Sequence, residues 1–280
     1  MRDRILMYHG TPARVARDLE RQLTWIARWR DVVPLAELAA DPEKPGKNGR
    51  RRAALTFDDG LRSNVAVAYP ILKNLGLHAT FFVCPGLIGR QAWLWNHEAR
   101  QRLRSMSADA RAELAQALAA PFDLEPFIEW MKTLPLAERK RAESEIRAAT
   151  PGFIPTDAQR DEYDLASWEE LKRLDPRVVS LGSHTMTHPI LTSLTPAEAE
   201  REIGESRREI ERETARAAEI FCYPNGDFGD STLQSVRKHY RAAVTVSCEP
   251  LPQWDVHRIP RVAEPGPGLR GMVRLARRMF

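Results

Sequence analysis

Four side chains of this sequence have the types and spacing of a hydrolytic metal site. Asp58 and Asp59 are adjacent in the run Thr-Phe-Asp-Asp-Gly. Neighbouring carboxylates repel each other unless a cation lies between them or one serves as a base. His184 and His188 stand in Ser-His-Thr-Met-Thr-His, a spacing that suits one metal ion if the segment forms a turn of helix. One carboxylate and two imidazoles leave positions open for water and substrate, which indicates metal-dependent hydrolysis.

Each motif alone also has a simpler explanation. Asp-Asp-Gly is typical of a turn or a helix cap, and a single histidine is more often a structural donor than a ligand. Both motifs, however, follow apolar runs with the character of strands, Arg52–Phe57 and Val178–Leu181. Active sites of α/β barrels are built at the carboxyl ends of strands, so this shared position favours one common site.

In this combination the two motifs resemble those of the polysaccharide deacetylases, carbohydrate esterase family 4, which share the NodB-homology fold. The resemblance implies that Asp58 is the general base. It also implies that Asp59, His184 and His188 hold one divalent metal ion, usually Zn²⁺, and that the reaction removes an N-acetyl group from a sugar. The physical interpretation agrees, because a metal polarises the acetyl carbonyl while a carboxylate takes a proton from water.

A third segment, Phe221–Gly226, resembles the family only in part. Many relatives have an arginine that orients the base where this chain has Cys222, and a tyrosine where it has Asn225. The backbone N–H of Asn225 can still donate to an oxyanion, since this role does not depend on the side chain. Arg261 is our candidate for the missing guanidinium, and a surface arginine is an equally good explanation of that residue.

The departing amine needs a general acid, which the family usually carries as Leu-x-His on its last strand. This chain has no such motif near its C-terminus, and instead Leu-Met-Tyr-His ends the first apolar run at His9. The arrangement resembles the circularly permuted branch of the family, which includes the poly-N-acetylglucosamine deacetylases. The first and last strands of a barrel are neighbours, so such a permutation is structurally simple. We therefore predict His9 as the acid, with His257 as a weaker rival, and structural roles for His78, His97 and His239.

The elements that carry these residues alternate between short apolar runs and helical patterns. This alternation predicts an α/β fold, a (β/α) barrel that is distorted or incomplete. The interval from about residue 86 to 163 breaks the alternation, and we interpret it as a helical insertion in a single catalytic domain spanning residues 1–280. Trp93 and Trp95 open this interval and either stack on sugar rings or anchor its core, and we favour the core.

Composition restricts the partners and the location. The 42 basic and 38 acidic residues form a mixed surface of net charge +4, so we expect no nucleic-acid partner. The apolar run Ile5–Tyr8 is too short for a signal peptide and no other run could span a bilayer, so we expect a cytoplasmic protein if the N-terminus is native. A basic amphipathic helix predicted at residues 269–280 either contacts an anionic membrane peripherally or docks on the barrel, and we favour docking.

Together these observations predict a metal-dependent carbohydrate N-deacetylase that acts on an aminosugar in a glycan or glycan precursor. A lipid-linked precursor fits both the expected compartment and the basic C-terminal helix. Two alternatives are a deformylase or other amidase acting on a lipid-linked aminosugar, and a catalytically weak carbohydrate-binding protein. Only the departures at Cys222 and Asn225 favour the binding protein.

Overall fold

Eight strands form the centre of the molecule in the computed structural model, which describes residues 3–90, 92–246 and 253–279. All pairings between these strands are parallel, as the alternating pattern predicts. Their bounds are β1 Arg4–Tyr8, β2 Asp31–Val32, β3 Arg52–Phe57, β4 Ala79–Val83, β5 Val179–Ser183, β6 Ile220–Cys222, β7 Ala242–Val244 and β8 Val262–Ala263.

The sheet curls until its two edges meet. Its strands follow the order β7-β6-β5-β4-β3-β1-β8, and β2 pairs with the start of β3. Val244 of β7 forms a parallel bridge with Ile259, and the same segment continues into β8, which pairs with β1. Pro260 lies between these pairings and has no N–H to donate, so the pairing at Ile259 remains a single bridge and β8 begins after it. The predicted distorted α/β barrel is confirmed.

Strand β3 separates two hydrophobic cores. All six of its residues are buried, which is typical of a parallel strand covered on both faces. Leu55 and Phe57 belong to the larger core, which lies between the sheet and its outer helices. Ala54 belongs to a second core with Phe82, formed by strands from around the barrel. Side chains alternate along a strand, so Asp58 continues the row that faces the barrel interior.

Twelve α-helices surround the sheet within the described part of the chain. Their bounds are α1 Ala16–Trp29, α2 Leu35–Ala40, α3 Tyr69–Leu75, α4 Trp95–Ser105, α5 Ala108–Leu118, α6 Leu124–Thr133, α7 Leu136–Ala149, α8 Asp157–Tyr163, α9 Trp168–Lys172, α10 Pro196–Thr214, α11 Asp230–His239 and α12 Gly268–Met279. None of these helices is both long and apolar enough to cross a membrane.

Helices α4 to α8 lie inside the interval that breaks the alternation. Of these, α4 to α7 bury a core of their own, to which Trp95 and Phe127 belong. Ile190, from the loop after β5, belongs to the same core, so these helices sit directly on that loop. Trp93 is also buried, in agreement with a packing role for the two tryptophans. We keep the assignment of residues 1–280 to one catalytic domain with an insertion as a proposal.

The C-terminal helix α12 docks on the outside of the barrel. Leu275 and Met279 are buried in the larger core, and the helix contacts α1. Leu269 and Val273, on the other side of the helix, are exposed. The predicted end of this helix, Phe280, lies outside the described residues.

Candidate active site

The turn that follows β3 places two carboxylates at the carboxyl end of the sheet. The backbone N–H of Asp58 donates to the carbonyl of Tyr8 in β1 at 2.9 Å, which extends the strand pairing by one residue. Asp59 then takes a left-handed conformation with φ 74°, and Gly60 follows with φ 71°. A Cβ atom at Gly60 would lie 3.2 Å from Val83 in β4. The turn therefore bends sharply and directs the two carboxylates to different partners.

Asp58 is paired with Arg261 in the barrel interior. Two guanidinium nitrogens each donate to one carboxylate oxygen at 2.7 Å. Nε of Arg261 donates to the carbonyl of Thr245 at 2.9 Å, and Nη1 also contacts the hydroxyl of Thr56 at 3.0 Å. A buried ion pair is tolerated only when its remaining polar atoms find partners, as they do here. The structure thus places Arg261 beside the predicted base and not on the surface.

The small side chain of Cys222 leaves room for this arginine. Its thiol lies 3.0 Å from Nη2 of Arg261 and 3.5 Å from Oδ2 of Asp58. The guanidinium of Arg261, which comes from the segment that closes the barrel, therefore lies beside Cys222, the position at which the family resemblance predicts an arginine. Burial raises the pKa of Cys222 well above its ordinary value, so the group beside the ion pair is a neutral thiol.

The ion pair also determines the charge of Asp58. Burial alone would raise the pKa of this carboxyl, but the positive charge and the hydrogen bonds of Arg261 hold it well below its ordinary value. Asp58 is therefore ionised at neutral pH and fixed in orientation. Both properties suit a base that must take a proton at a defined position.

The loop after β5 brings two histidines to Asp59. Nε2 of His184 and Nε2 of His188 each lie 3.6 Å from Oδ1 of Asp59. The loop is not helical, because Thr185 and His188 have left-handed φ angles of 67° and 56°. The hydroxyl of Thr185 accepts a hydrogen bond from the backbone N–H of His188 at 3.0 Å. The histidines therefore converge through a tight bend and not through their spacing along a helix.

The donor atoms of this cluster fit a divalent metal ion. One ligand atom from each of Asp59, His184 and His188 lies within 4.8 Å of the others. Nδ1 of His184 donates to the carbonyl of Cys222 at 2.8 Å, so its Nε2 is the unprotonated nitrogen that faces Asp59. Burial lowers the pKa of His188 to about 3, so this ring is neutral as well. An unprotonated nitrogen facing a carboxylate has no proton to share with it, and a cation between them removes the conflict.

His9 is brought to the same site, whereas its rival is held elsewhere. It directly follows β1, and it lies close enough to Asp58 and Asp59 to contribute to the lowering of the pKa of both carboxyls. Nε2 of His257 lies 3.0 Å from the carbonyl of Tyr240, just after α11, and donates to it. Of the two candidates for the general acid, the geometry therefore favours His9.

Asn225 lies at the same edge of the sheet, in the loop after β6. Its backbone is left-handed, with φ 56°. Its side-chain oxygen accepts a hydrogen bond from Nζ of Lys132 in α6 at 3.4 Å, and its amide donates to Asp227. The side chain thus makes hydrogen bonds within the protein, and the backbone N–H of Asn225 as an oxyanion donor stays a prediction.

One more histidine lies beside these residues and is not recognisable as a site residue from the sequence. His97 received a structural role, yet its Nε2 lies 4.0 Å from Oδ2 of Asp59. Trp95, two residues earlier in α4, donates from its indole nitrogen to the carbonyl of His188 at 2.9 Å. No motif connects this helix with the aspartates, so the contact is visible only in three dimensions.

Comparison with known proteins assigns this arrangement to a family. The family model described as polysaccharide deacetylase matches residues 45–125 and 131–244, more than half of the chain. The chain belongs to the polysaccharide deacetylase family. The resemblance of the two motifs to this family is confirmed, because both motifs lie within the matched residues. His9 and Arg261 lie outside them.

One curated protein and several solved structures are similar to this chain. YxkH of Bacillus subtilis (strain 168), named as a polysaccharide deacetylase, is 22% identical to this chain over 250 residues. The match covers 86% of this chain and 63% of YxkH. The chain therefore spans less than two thirds of the length of that relative. Streptococcus pyogenes deacetylase PplD in complex with acetate has a TM-score of 0.61 at 18% identity, over 94% of this chain and 92% of that one. IcaB from Ammonifex degensii has a TM-score of 0.59 at 18% identity, over 94% and 91%. At these identities, the structural likeness establishes the fold.

Proposed function

We propose that this member of the polysaccharide deacetylase family is a metal-dependent hydrolase that removes an N-acetyl group from an aminosugar in a glycan or glycan precursor. The observation that carries the proposal is the division between two adjacent carboxylates. Asp58 is bound by the guanidinium of Arg261, which prepares it as a base. Asp59 instead faces the imidazoles of His184 and His188, which prepares it as a ligand.

Each residue then has a defined task. Asp59, His184 and His188 would hold one divalent ion, and their oxygen and imidazole donors suit Zn²⁺. When bound, the ion supplies Lewis acidity toward the acetyl carbonyl and toward a water molecule. Asp58 takes a proton from that water while Arg261 keeps its carboxylate aligned.

The remaining steps fall to two residues outside this cluster. His9 protonates the departing nitrogen, which makes the amine a viable leaving group. The backbone N–H of Asn225 donates to the oxyanion that forms at the acetyl carbonyl. Both residues follow strands that end at the same edge of the sheet as Asp58, and this shared edge supports their assignment.

The binding-protein alternative rests on Cys222 and Asn225, and the structure weakens both of its supports. Arg261 offers the guanidinium that Cys222 lacks, and Asn225 needs only its backbone to stabilise an oxyanion. A deformylase or another amidase would use the same residues. That alternative therefore differs from a deacetylase only in the acyl group of its substrate.

The test is hydrolysis of N-acetylglucosamine oligomers and of their N-formyl counterparts by metal-free and zinc-loaded protein. We expect acetate release that disappears on chelation and returns with zinc. Formate release alone would favour the deformylase. Normal oligomer binding without any hydrolysis by the loaded protein would favour the binding protein, and full hydrolysis by metal-free protein would overturn metal dependence.

We also propose that α12 meets an anionic membrane surface when the substrate is lipid-linked. Leu269 and Val273 are 80% and 46% exposed on this helix, and the neighbouring Arg270 and Arg274 are exposed as well. Apolar side chains flanked by arginines suit an anionic interface. Sedimentation with phosphatidylglycerol vesicles should recover the protein and should fail for the Leu269→Ser/Val273→Ser variant. Equal recovery of both proteins, or equal recovery with neutral vesicles, would contradict this proposal.

A further inference from the structure

The two oxygens of Asp59 face different sides of the site. Oδ1 lies 3.6 Å from Nε2 of both His184 and His188. Oδ2 faces away from them toward His97, whose Nε2 lies 4.0 Å away. Among the described residues, the ligand atoms of Asp59, His184 and His188 lie mutually within 4.8 Å. A second group within that distance contains Asp58, His184 and Cys222, and neither group includes His97. His97 is therefore placed beside a ligand and not among the ligands.

The fold holds His97 in this position. Its side chain is 17% exposed, and its ring packs against the ring of Tyr163 in α8 with centroids 4.9 Å apart. The hydroxyl of Tyr163 accepts a hydrogen bond from Gln101, one turn further along α4, at 3.1 Å. The indole of Trp95 ties the start of the same helix to the carbonyl of His188. The helix that carries His97 is thus fixed to the loop that carries a ligand.

We propose that His97 is a positioning residue whose Nε2–H donates to Oδ2 of Asp59 and so keeps Oδ1 turned toward the metal. The carboxylates that bind metals are commonly hydrogen-bonded through their surroundings, and loss of such a partner weakens metal binding. The separation of 4.0 Å is longer than a hydrogen bond. Hydrogen bonds in active sites are often long in the free enzyme and shorten in the working complex. The inference rests on the proposed metal-dependent function.

The experiment measures zinc affinity of the full chain by competition with a chromophoric chelator. His97→Phe keeps a ring against Tyr163 but removes the donor, and we expect it to weaken zinc binding about 10- to 100-fold. His97→Gln restores an N–H near the position of Nε2 and should recover most of that affinity. The matched control is His78→Phe, because His78 contacts Ser180 at the opposite end of the sheet and its replacement should leave zinc affinity unchanged.

The outcomes separate this inference from the proposed function. Zinc binding by His97→Phe as tight as by the wild type overturns the inference, and so does a Gln variant as weak as the Phe variant. An unchanged zinc affinity with a raised KM would instead make His97 a substrate contact, which also overturns it. Failure of the wild type to bind zinc would contradict the proposed function itself.

Discussion

At the residue scale, the ion pair between Asp58 and Arg261 combines a catalytic requirement with a structural one. The carboxylate must stay ionised in the barrel interior, and the guanidinium that keeps it so is itself buried. Removal of either partner leaves an uncompensated charge away from water. The proposed base is therefore also a point at which the fold is sensitive to substitution.

Replacement of Arg261 by Met should lower both stability and turnover. The variant leaves Asp58 buried without its partner, so we expect the free energy of unfolding to fall by about 3–5 kcal/mol. Misalignment of the base should lower hydrolysis about 10- to 100-fold. Denaturant unfolding and acetate release measure the two effects.

The control for this variant is Arg258→Met, on the same segment. Arg258 lies over the ring of Phe228, with its guanidinium carbon 5.6 Å from the ring centroid, and its loss should cost about 1 kcal/mol or less. The double variant Asp58→Asn/Arg261→Met should regain part of the stability that Arg261→Met loses, because no buried charge remains. Equal stability of Arg261→Met and Arg258→Met would contradict the interior ion pair.

The sequence predicts the residues of the site unevenly. The local motifs that contain Asp58, Asp59, His184 and His188 can be recognised without any knowledge of the fold. Arg261 could equally have been a surface arginine, because its contact with Asp58 depends on how the barrel closes. The place of His97 depends on how the insertion packs on the loop after β5, and no sequence pattern records that packing.

At the scale of elements, the turn after β3 needs a residue without a side chain. Gly60 has φ 71°, and a Cβ atom added there would lie 3.2 Å from Val83. Gly76, which ends α3, has φ 64°, and a Cβ atom added there would meet nothing within 4 Å. Ala at either position should lower the free energy of unfolding by about 1–2 kcal/mol through its left-handed backbone. Only Gly60→Ala should also weaken zinc binding, because it displaces the neighbouring Asp59. Zinc affinities that are equal in the two variants would contradict this role of the turn.

The contact between α10 and α11 should depend on pH. Glu200 accepts hydrogen bonds from Lys238 and His239 at 2.7 Å each. Burial alone would raise the pKa of Glu200, but the hydrogen bonds from Lys238, Ser235 and His239 lower it from 4.5 to about 2. The folded state thus binds the proton less readily than the unfolded state. The stabilisation is present above pH 4.5 and is lost as the pH falls toward 2.

Glu200→Gln tests this linkage. The difference in unfolding free energy between wild type and variant should shrink as the pH falls from about 4.5 to about 2. Solvent screening keeps the effect modest, because the side chain of Glu200 is 37% exposed. Glu205→Gln, an exposed position on the same helix, is the control, and a constant difference for Glu200→Gln would contradict the linkage.

Elements with a strong local pattern were predictable, and those created by pairing were not. The sequence indicates β1 and β3 as apolar runs, and the structure buries almost every residue of both strands. The strands β2 and β8 have two residues each. Such short strands form because β3 and β1 have backbone groups left to pair with them. No periodicity in the sequence predicts strands of this length.

At the scale of the whole molecule, the barrel assembles one site from distant parts of the chain. The strand that precedes His9 lies beside the strand that precedes Asp58, although the paired residues Arg4 and Ala53 are far apart in the sequence.

 The register runs from Arg4 beside Ala53 to Tyr8 beside Phe57, so both strands end at the same edge of the sheet. The permuted arrangement predicted from the sequence requires that these two strands be neighbours, as they are. The fold class was predictable from the alternation of elements, whereas the closure at Ile259 was not, because it depends on a single bridge.

The most direct test of the proposed chemistry measures bound zinc and acetate release together in the wild type, Asp58→Asn and His184→Ala. Asp58→Asn should keep about one zinc ion per chain, because Asp58 is not a ligand, and should lose acetate release about 100-fold or more, because the base is gone. His184→Ala should lose both the metal and the activity. Acetate release by Asp58→Asn at the wild-type rate, or loss of zinc from Asp58→Asn to the same extent as from His184→Ala, would contradict the division of roles between the two aspartates.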